Sequence, residues 1–282
     1  MKKGLIMEGG AMRGMFTCGV IDVLMENGIE FDGASGISAG AVFGCNYKSR
    51  QIGRGIRYNK RFCKDKRYCS IRSLIKTGNL YNAEFCYKTI PNELDVFDKE
   101  TFKNNKLEFY VGATNALTGE ILFHKCETGD ENDVLWMRAS ASMPIASKAV
   151  KIENLELLDG GIACPVPYKY MEDIGYDRNI IVLTQPKGYR KKKGNNLLFK
   201  LLIHKYPNIV KVLKNRYEIY NNQMEKIEEK EKNNEVLVIR PSEKLNIGKT
   251  EKDPKELERV YQMGRKEALL MLDNIKEFLN KN

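Results

Sequence analysis

The stretch FDGASGISAGAVFG, residues 31–44, sets a single serine, Ser38, between Gly36 and Gly40, with a strand-like run before it and an alanine-rich run after it. Strand, G-x-S-x-G, helix is the context in which this pattern carries chemistry. A nucleophile has to stand out on a sharp turn, and glycines on both sides remove the Cβ clashes that such a turn creates. The amino end of the following helix also favours negative charge. As a bare string the pattern is weak, and a Gly/Ala-rich packing turn explains it equally well.

Working outward, KGLIMEGG reads as a short buried strand running into glycines, and MRGMFTCGVIDVLMENG carries Met15, Val20, Val23 and Leu24 at helical spacing before Gly28 stops it. The serine segment repeats this plan of strand, turn and helix. KLEFYVGATNALTGEILFHK reads as two strands joined around Thr118-Gly119, and AVKIENLELLDGG as another pair turning at Glu153-Asn154. RNIIVLTQP and EVLVIRP are further apolar strands separated by a long basic helical region. An amphipathic helix from Pro254 closes the chain. YNNQMEKIEEKEKNN is polar enough to read as an exposed helix end or a loop, the expected soft spot. Strands alternating with helices predict an α/β fold with a largely parallel central sheet.

The loop EGGAMRG, Glu8 to Gly14, is the second constellation. Acyl transfer through a tetrahedral intermediate needs preorganised N–H donors, and adjacent glycines between strand and helix let backbone amides point into a cleft. Gly9 and Gly10 are the candidate donors, with the Ala11 amide beside them. Arg13 braces the loop or meets an anionic head group, unless it is an ordinary surface arginine. A competing reading takes Gly9, Ala11 and Gly14 with Asp32 as a dinucleotide site. Asp32, however, precedes Ser38 near the start of the second strand, where the ribose-binding acid belongs at the strand's carboxyl end.

A serine needs a base. The chain has two histidines, His124 in ILFHK and His204 in LLIHKYP. The order Ser38, Asp159, His204 matches the α/β-hydrolase triad, yet Ser38 follows only the second strand, earlier than that fold places its nucleophile. Asp159 in LLDGG is the better candidate, because an apolar strand ends there in a turn able to aim the carboxylate into a cleft; an ordinary D-G turn is the plain alternative. With the reference pKa of about 3.9 it is a feeble base, so burial or strong oxyanion donors must compensate.

Together GGAMRG, GISAG and DGG, in this order, resemble the patatin-like phospholipases, and RASASMP, with Ala139, Ser140 and Pro144, is similar to the A-S-x-x-x-P block of that family, which packs near its active site. The likeness runs from about Lys3 to Pro167 and continues through IIVLTQPKGYRKK, as in a bacterial subgroup. It implies a three-layer α/β/α fold, and a single domain over 1–282 with a catalytic core of about 3–185 and a helical and strand extension of about 195–282. It also implies that Ser38 is the nucleophile, Asp159 its base, and Gly9 and Gly10 the oxyanion donors, with no metal or organic cofactor. Ala11 departs from the third glycine of many relatives; its amide serves if φ stays negative.

The net charge of +10 is concentrated in Lys48–Lys76 and Arg178–Tyr217, stretches that can face an anionic surface or simply keep the protein soluble. Seven scattered cysteines without C-x-x-C suggest reduced structural thiols. No secretory or membrane-spanning run is apparent, so the expected location is cytoplasmic with peripheral membrane contact. The expected activity is a serine lipid acyl hydrolase, of phospholipase A or lysophospholipase type. Nucleic-acid binding has only charge in its favour, and a non-catalytic lipid-binding scaffold keeps the same fold without the chemistry.

Overall fold

The computed structural model describes residues 1–194 and 205–280. Among them an eight-stranded sheet runs in the order β5-β6-β3-β2-β1-β7-β8, with β4 on β3. The central strands β1 (Lys2–Met7), β2 (Gly33–Ile37), β3 (Glu108–Asn115), β7 (Tyr176–Val182) and β8 (Val236–Ile239) are parallel, whereas β4 (Ile121–Cys126) and β6 (Leu155–Asp159) run antiparallel to β3, and β5 (Val150–Ile152) antiparallel to β6.

The continuous apolar run of β1 is what a parallel strand covered on both faces requires. Its side chains alternate between two cores: Leu5 and Met7 join the larger cluster, Ile6 the other. On the first face lie α1 (Gly14–Glu26), α2 (Ala39–Lys48), α6 (Glu131–Ser140) and α9 (Pro254–Leu270); on the second lie α7 (Tyr168–Asp173) and α8 (Pro207–Lys232). The protein is therefore a three-layer α/β/α structure, as expected. The closing helix is broken at Met271 into α9 and α10 (Leu272–Asn280). The α1–α9 crossing is very close: a Cβ at Gly19 would stand 2.1 Å from the Tyr261 carbonyl oxygen, and one at Gly264 2.0 Å from that of Phe16.

YNNQMEKIEEKEKNN is not a soft loop. Its residues up to Lys232 form the second half of α8, and Tyr220, Met224 and Ile227 bury a stripe at helical spacing that the charged residues around them disguise. Between α2 and β3 the chain adds α3 (Arg54–Phe62), α4 (Ile71–Thr77), a π-type helix (Phe85–Leu94) and α5 (Lys99–Asn104). These elements use much of the first basic stretch internally. Lys48 donates to the Leu107 carbonyl at 2.6 Å, and buried Arg54 and half-exposed Arg57 both pair with Asp95 at 3.4 and 2.7 Å. That stretch is not one anionic-surface face; Lys64, Lys66, Arg72 and Lys76 are the exposed remainder.

Candidate active site

The register of β3 brings distant parts of the chain together. Ile37 at the end of β2 pairs with Gly112, and Asp159 at the end of β6 pairs with the next residue, Ala113. Since β4 occupies the other edge of β3 from Phe109 to Thr114, β2 and β6 share one edge and meet end to end. Ser38, the residue after Ile37, is thereby set beside Asp159.

Ser38 adopts φ 54°, ψ −117°, a sparsely populated conformation that costs roughly 1–3 kcal/mol. Its surroundings hold it there. The Ser38 N–H donates to Ser140 Oγ at 2.8 Å, Ser140 Oγ donates to the Gly112 carbonyl at 2.6 Å, and the Ser38 carbonyl accepts the first bonds of α2 from Ala41 and Val42, each at 3.0 Å. The flanking glycines answer to packing: a Cβ at Gly36 would stand 2.3 Å from the Gly40 carbonyl oxygen, and one at Gly40 2.4 Å from that of Met7.

Asp159 is 1 % exposed. Its Oδ1 accepts the Gly161 N–H at 2.8 Å, while buried Oδ2 has no partner at full hydrogen-bond geometry among the described residues. Burial pushes the carboxyl above its ordinary value, against the Ser38 hydroxyl, the Arg216 guanidinium and the Gly161 N–H, which pull it down. The Ser38 hydroxyl is thus among the groups that act on the Asp159 carboxyl.

The glycine loop lies against this pair, since a Cβ at Gly9 would be 3.0 Å from Ser38 Cβ. Among the described residues no acceptor is found for the N–H groups of Gly9, Gly10 or Ala11. The condition on Ala11 is not met: its φ is 49°, so it bears the left-handed strain that a glycine would avoid. The loop is anchored by Glu8, whose Oε2 accepts the Thr184 N–H at 2.6 Å and hydroxyl at 3.0 Å, and by Arg13, whose Nε donates to Thr184 Oγ1 at 3.3 Å.

A cavity of about 480 Å³ opens from Ser38, within the usual range for sites that enclose small ligands. Its walls are mainly apolar, among them Val42, Tyr58, Leu74, Tyr87, Ile90 and Met143. They come from α2, α3, α4, the π-type helix and the segment after α6.

His124 is not part of this site. Its Nε2 is 2.8 Å from Asp133 Oδ1 and its ring stacks on Trp136 with centroids 4.9 Å apart. His124, Cys126 and Asp133 have ligand atoms within 4.8 Å of one another, but Asp133 Oδ2 already accepts the N–H groups of Thr128 and Gly129, and burial pushes the Cys126 thiol up. This set is a structural hydrogen-bond network. His204 lies outside the described residues. Asp32 immediately precedes β2 and accepts the Lys3 N–H at 2.7 Å, which disposes of the dinucleotide reading.

Two cations missed in the sequence stand beside Asp159. Arg216 of α8 donates from Nε to the Gly161 carbonyl at 2.6 Å. Lys191, in the segment after β7, is half-buried with its ammonium 4.2 Å from the Tyr220 ring centroid. Burial, with Arg216 and Arg13, pulls it down to about 7 against the opposing effect of Glu8 and Asp159. Both sit in a run of basic residues whose ordinary reading is a solvated face.

A three-layer α/β/α fold brings a strained serine, a buried carboxylate and a glycine loop together at one seam. The comparison with known families then places the protein: the patatin-like phospholipase profile matches residues 5–171, more than half of the chain, and the chain belongs to that family. A domain of unknown function (DUF6363) matches residues 206–280. The chain is 29 % identical over 187 residues to the lysophospholipase nte1 of Emericella nidulans, covering 62 % of this chain and 11 % of that one. It is 28 % identical over 192 residues to YjjU of Escherichia coli, covering 64 % and 52 %. A patatin-like phospholipase domain-containing protein of Caenorhabditis elegans, M110.7, is 23 % identical over 193 residues, covering 64 % and 16 %. The chain thus spans from about a tenth to about half of these curated relatives. Among solved structures, VipD of Legionella pneumophila aligns with 97 % of this chain and 67 % of its own at 14 % identity and a TM-score of 0.49.

Proposed function

We propose that the protein is a serine lipid acyl hydrolase, carried above all by one observation: a strained Ser38 at the end of an apolar cavity, set by the β3 register beside the buried carboxyl of Asp159. Ser38 Oγ attacks the ester carbonyl carbon as its proton passes to Asp159, whose raised pKa makes it a better base than a free carboxylate. The N–H groups of Gly9 and Gly10 receive the oxyanion. Collapse breaks the C–O bond and the leaving alkoxide takes the proton from Asp159; water then attacks the acyl-serine as Asp159 again accepts a proton, and the second collapse breaks the bond to Ser38 Oγ, which takes that proton back as the fatty acid leaves. The cavity holds the acyl chain. Lysophospholipase naming of the fungal relatives supports a lipid ester as substrate.

The two matched segments act as one folded unit on this reading, since β8 extends the sheet from β7 and α9 crosses α1. Peripheral membrane contact is proposed at the cavity mouth. There Ile71 and Ile75 of α4 are 71 % and 80 % exposed while Leu74 lines the cavity, and exposed Arg72 and Lys76 flank them. Apolar side chains inside a basic rim suit an anionic lipid surface.

A fluorophosphonate probe tests the chemistry. Wild type labels; Ser38→Ala abolishes labelling; Asp159→Asn lowers ester turnover by about 10²-fold or more, the scale of a lost general base. An unlabelled, well-folded wild type favours the scaffold instead, and loss of turnover in a folded His204→Ala replaces the dyad with a triad.

A further inference from the structure

We infer that Arg13, Lys191 and Arg216 form a phosphate subsite beside Ser38, on the side away from the acyl cavity. This rests on the hydrolase reading above and assigns the part of the substrate that the cavity leaves out.

The three cations reach one place from three elements. Arg13 ends the short turn after β1, Lys191 lies in the segment after β7, and Arg216 belongs to α8. None of them lines the apolar cavity. Arg216 and Tyr220 lie one turn apart on the same face of α8, and the Lys191 ammonium sits 4.2 Å from the Tyr220 ring centroid, so these two cations are neighbours; the charge of Arg13 also acts on Lys191. A Cβ at Gly10 would stand 3.3 Å from an Arg13 guanidinium nitrogen, and one at Gly161 3.4 Å from an Arg216 nitrogen, so both guanidiniums flank the two loops that frame the serine.

None of the three makes an ion pair within 4.0 Å among the described residues, although lysines and arginines elsewhere do so repeatedly. Glu8, which with Asp159 acts on Lys191, already spends Oε2 on Thr184. Half-buried cations without a carboxylate partner are satisfied by charge-assisted hydrogen bonds, and a phosphate offers the acceptors. All three stay partly exposed, so a ligand can reach them.

Lys191 is also built in. Its N–H donates to Asn221 Oδ1 at 2.8 Å, Asn221 Nδ2 donates back to its carbonyl at 3.0 Å, and neighbouring Arg190 pairs with Glu228 at 2.7 Å. Helix α8 therefore both supplies Arg216 and clamps the segment that carries Lys191, which gives this part of the DUF6363 match a role at the site. In a glycerophospholipid the scissile carbonyl separates the acyl chain from the phosphate. The apolar cavity at Ser38 suits the first of these, and the three cations, which do not line it, are the groups proposed for the second.

The test uses the full chain and two substrates with one acyl chain, a lysophosphatidic acid and the matching monoacylglycerol. Wild type should prefer the phosphate ester in kcat/KM by at least about tenfold, the effect of one charge-assisted bond; Lys191→Met should collapse that ratio and Lys191→Arg restore it to within about threefold. Inorganic phosphate, titrated calorimetrically into wild type and Lys191→Met, separates the sources. Binding lost in the variant, without a lipid preference, assigns the subsite to free phosphate. No preference together with no phosphate binding, or either effect unchanged in Lys191→Met, overturns the subsite while fluorophosphonate labelling of Ser38 leaves the hydrolase reading standing. Absent labelling sinks that reading, and calorimetry still decides the subsite.

Discussion

Ser38, the candidate nucleophile, shows what a strained position costs the fold. Its positive φ is paid in strain that only glycine escapes, and the bonds to Ser140 Oγ and from the first turn of α2 keep it there. Replacing Ser38 with glycine should raise unfolding stability by about 1 kcal/mol in denaturant melts while turnover disappears, and an unchanged or lower stability would mean that the conformation is not strained. At this scale the candidate pair was legible, because G-x-S-x-G and D-G-G are local patterns whose glycines report tight backbone packing. Ser140 was visible only as one letter of a block; that its Oγ holds the Ser38 amide depends on a fold-back from α6. Lys191 and Arg216 were illegible, since nothing in a basic run distinguishes a lysine clamped by Asn221 from its exposed neighbours Lys192 and Lys193.

Among the elements, α4 is the clearest inversion of ordinary amphipathicity. Ser70 caps it by accepting the Ser73 N–H at 3.1 Å and Gly78 ends it at φ 77°, so a seven-residue helix is held firmly while two isoleucines face solvent. Changing Ile71 and Ile75 together to serine should lower the ratio of turnover on anionic vesicles to turnover on a monomeric short-chain ester at least about fivefold, since each isoleucine buried in the interface contributes on the order of 1 kcal/mol or more. A ratio that does not move would remove α4 from the docking face. The sequence around it carries charge and scattered apolar residues without a clear period, and so α3, α4 and the π-type helix escaped notice, whereas β3, β4, β5 and β6 were marked by alternation and by turns at Gly119 and Glu153, both at positive φ. The opposite error affected α8, where a real buried stripe was hidden by its acidic and basic neighbours.

Over the whole molecule, α9 is bound to α1 through a buried carboxyl. Asp22 of α1 accepts the Tyr261 hydroxyl at 2.8 Å and the Gly53 N–H at 3.0 Å, and burial pushes its carboxyl up to about 6. A carboxyl raised on folding takes up a proton in the native state first, so its contribution to stability is complete at pH below the unfolded value near 4 and is lost as pH rises through 6. Asp22→Asn should therefore melt higher relative to wild type at pH 7.5 than at pH 5, by a difference worth about 1–2 kcal/mol, and a gap independent of pH would show that Asp22 does not titrate in this range. The alternation of strands and helices made the layers readable, but the register that matters most was not: nothing local says that β2 and β6 will abut on one edge of β3. That abutment ties the candidate base to a hairpin at the sheet's rim: an opening confined to β5 and β6 would part Asp159 from Ser38 while the central parallel strands stay paired.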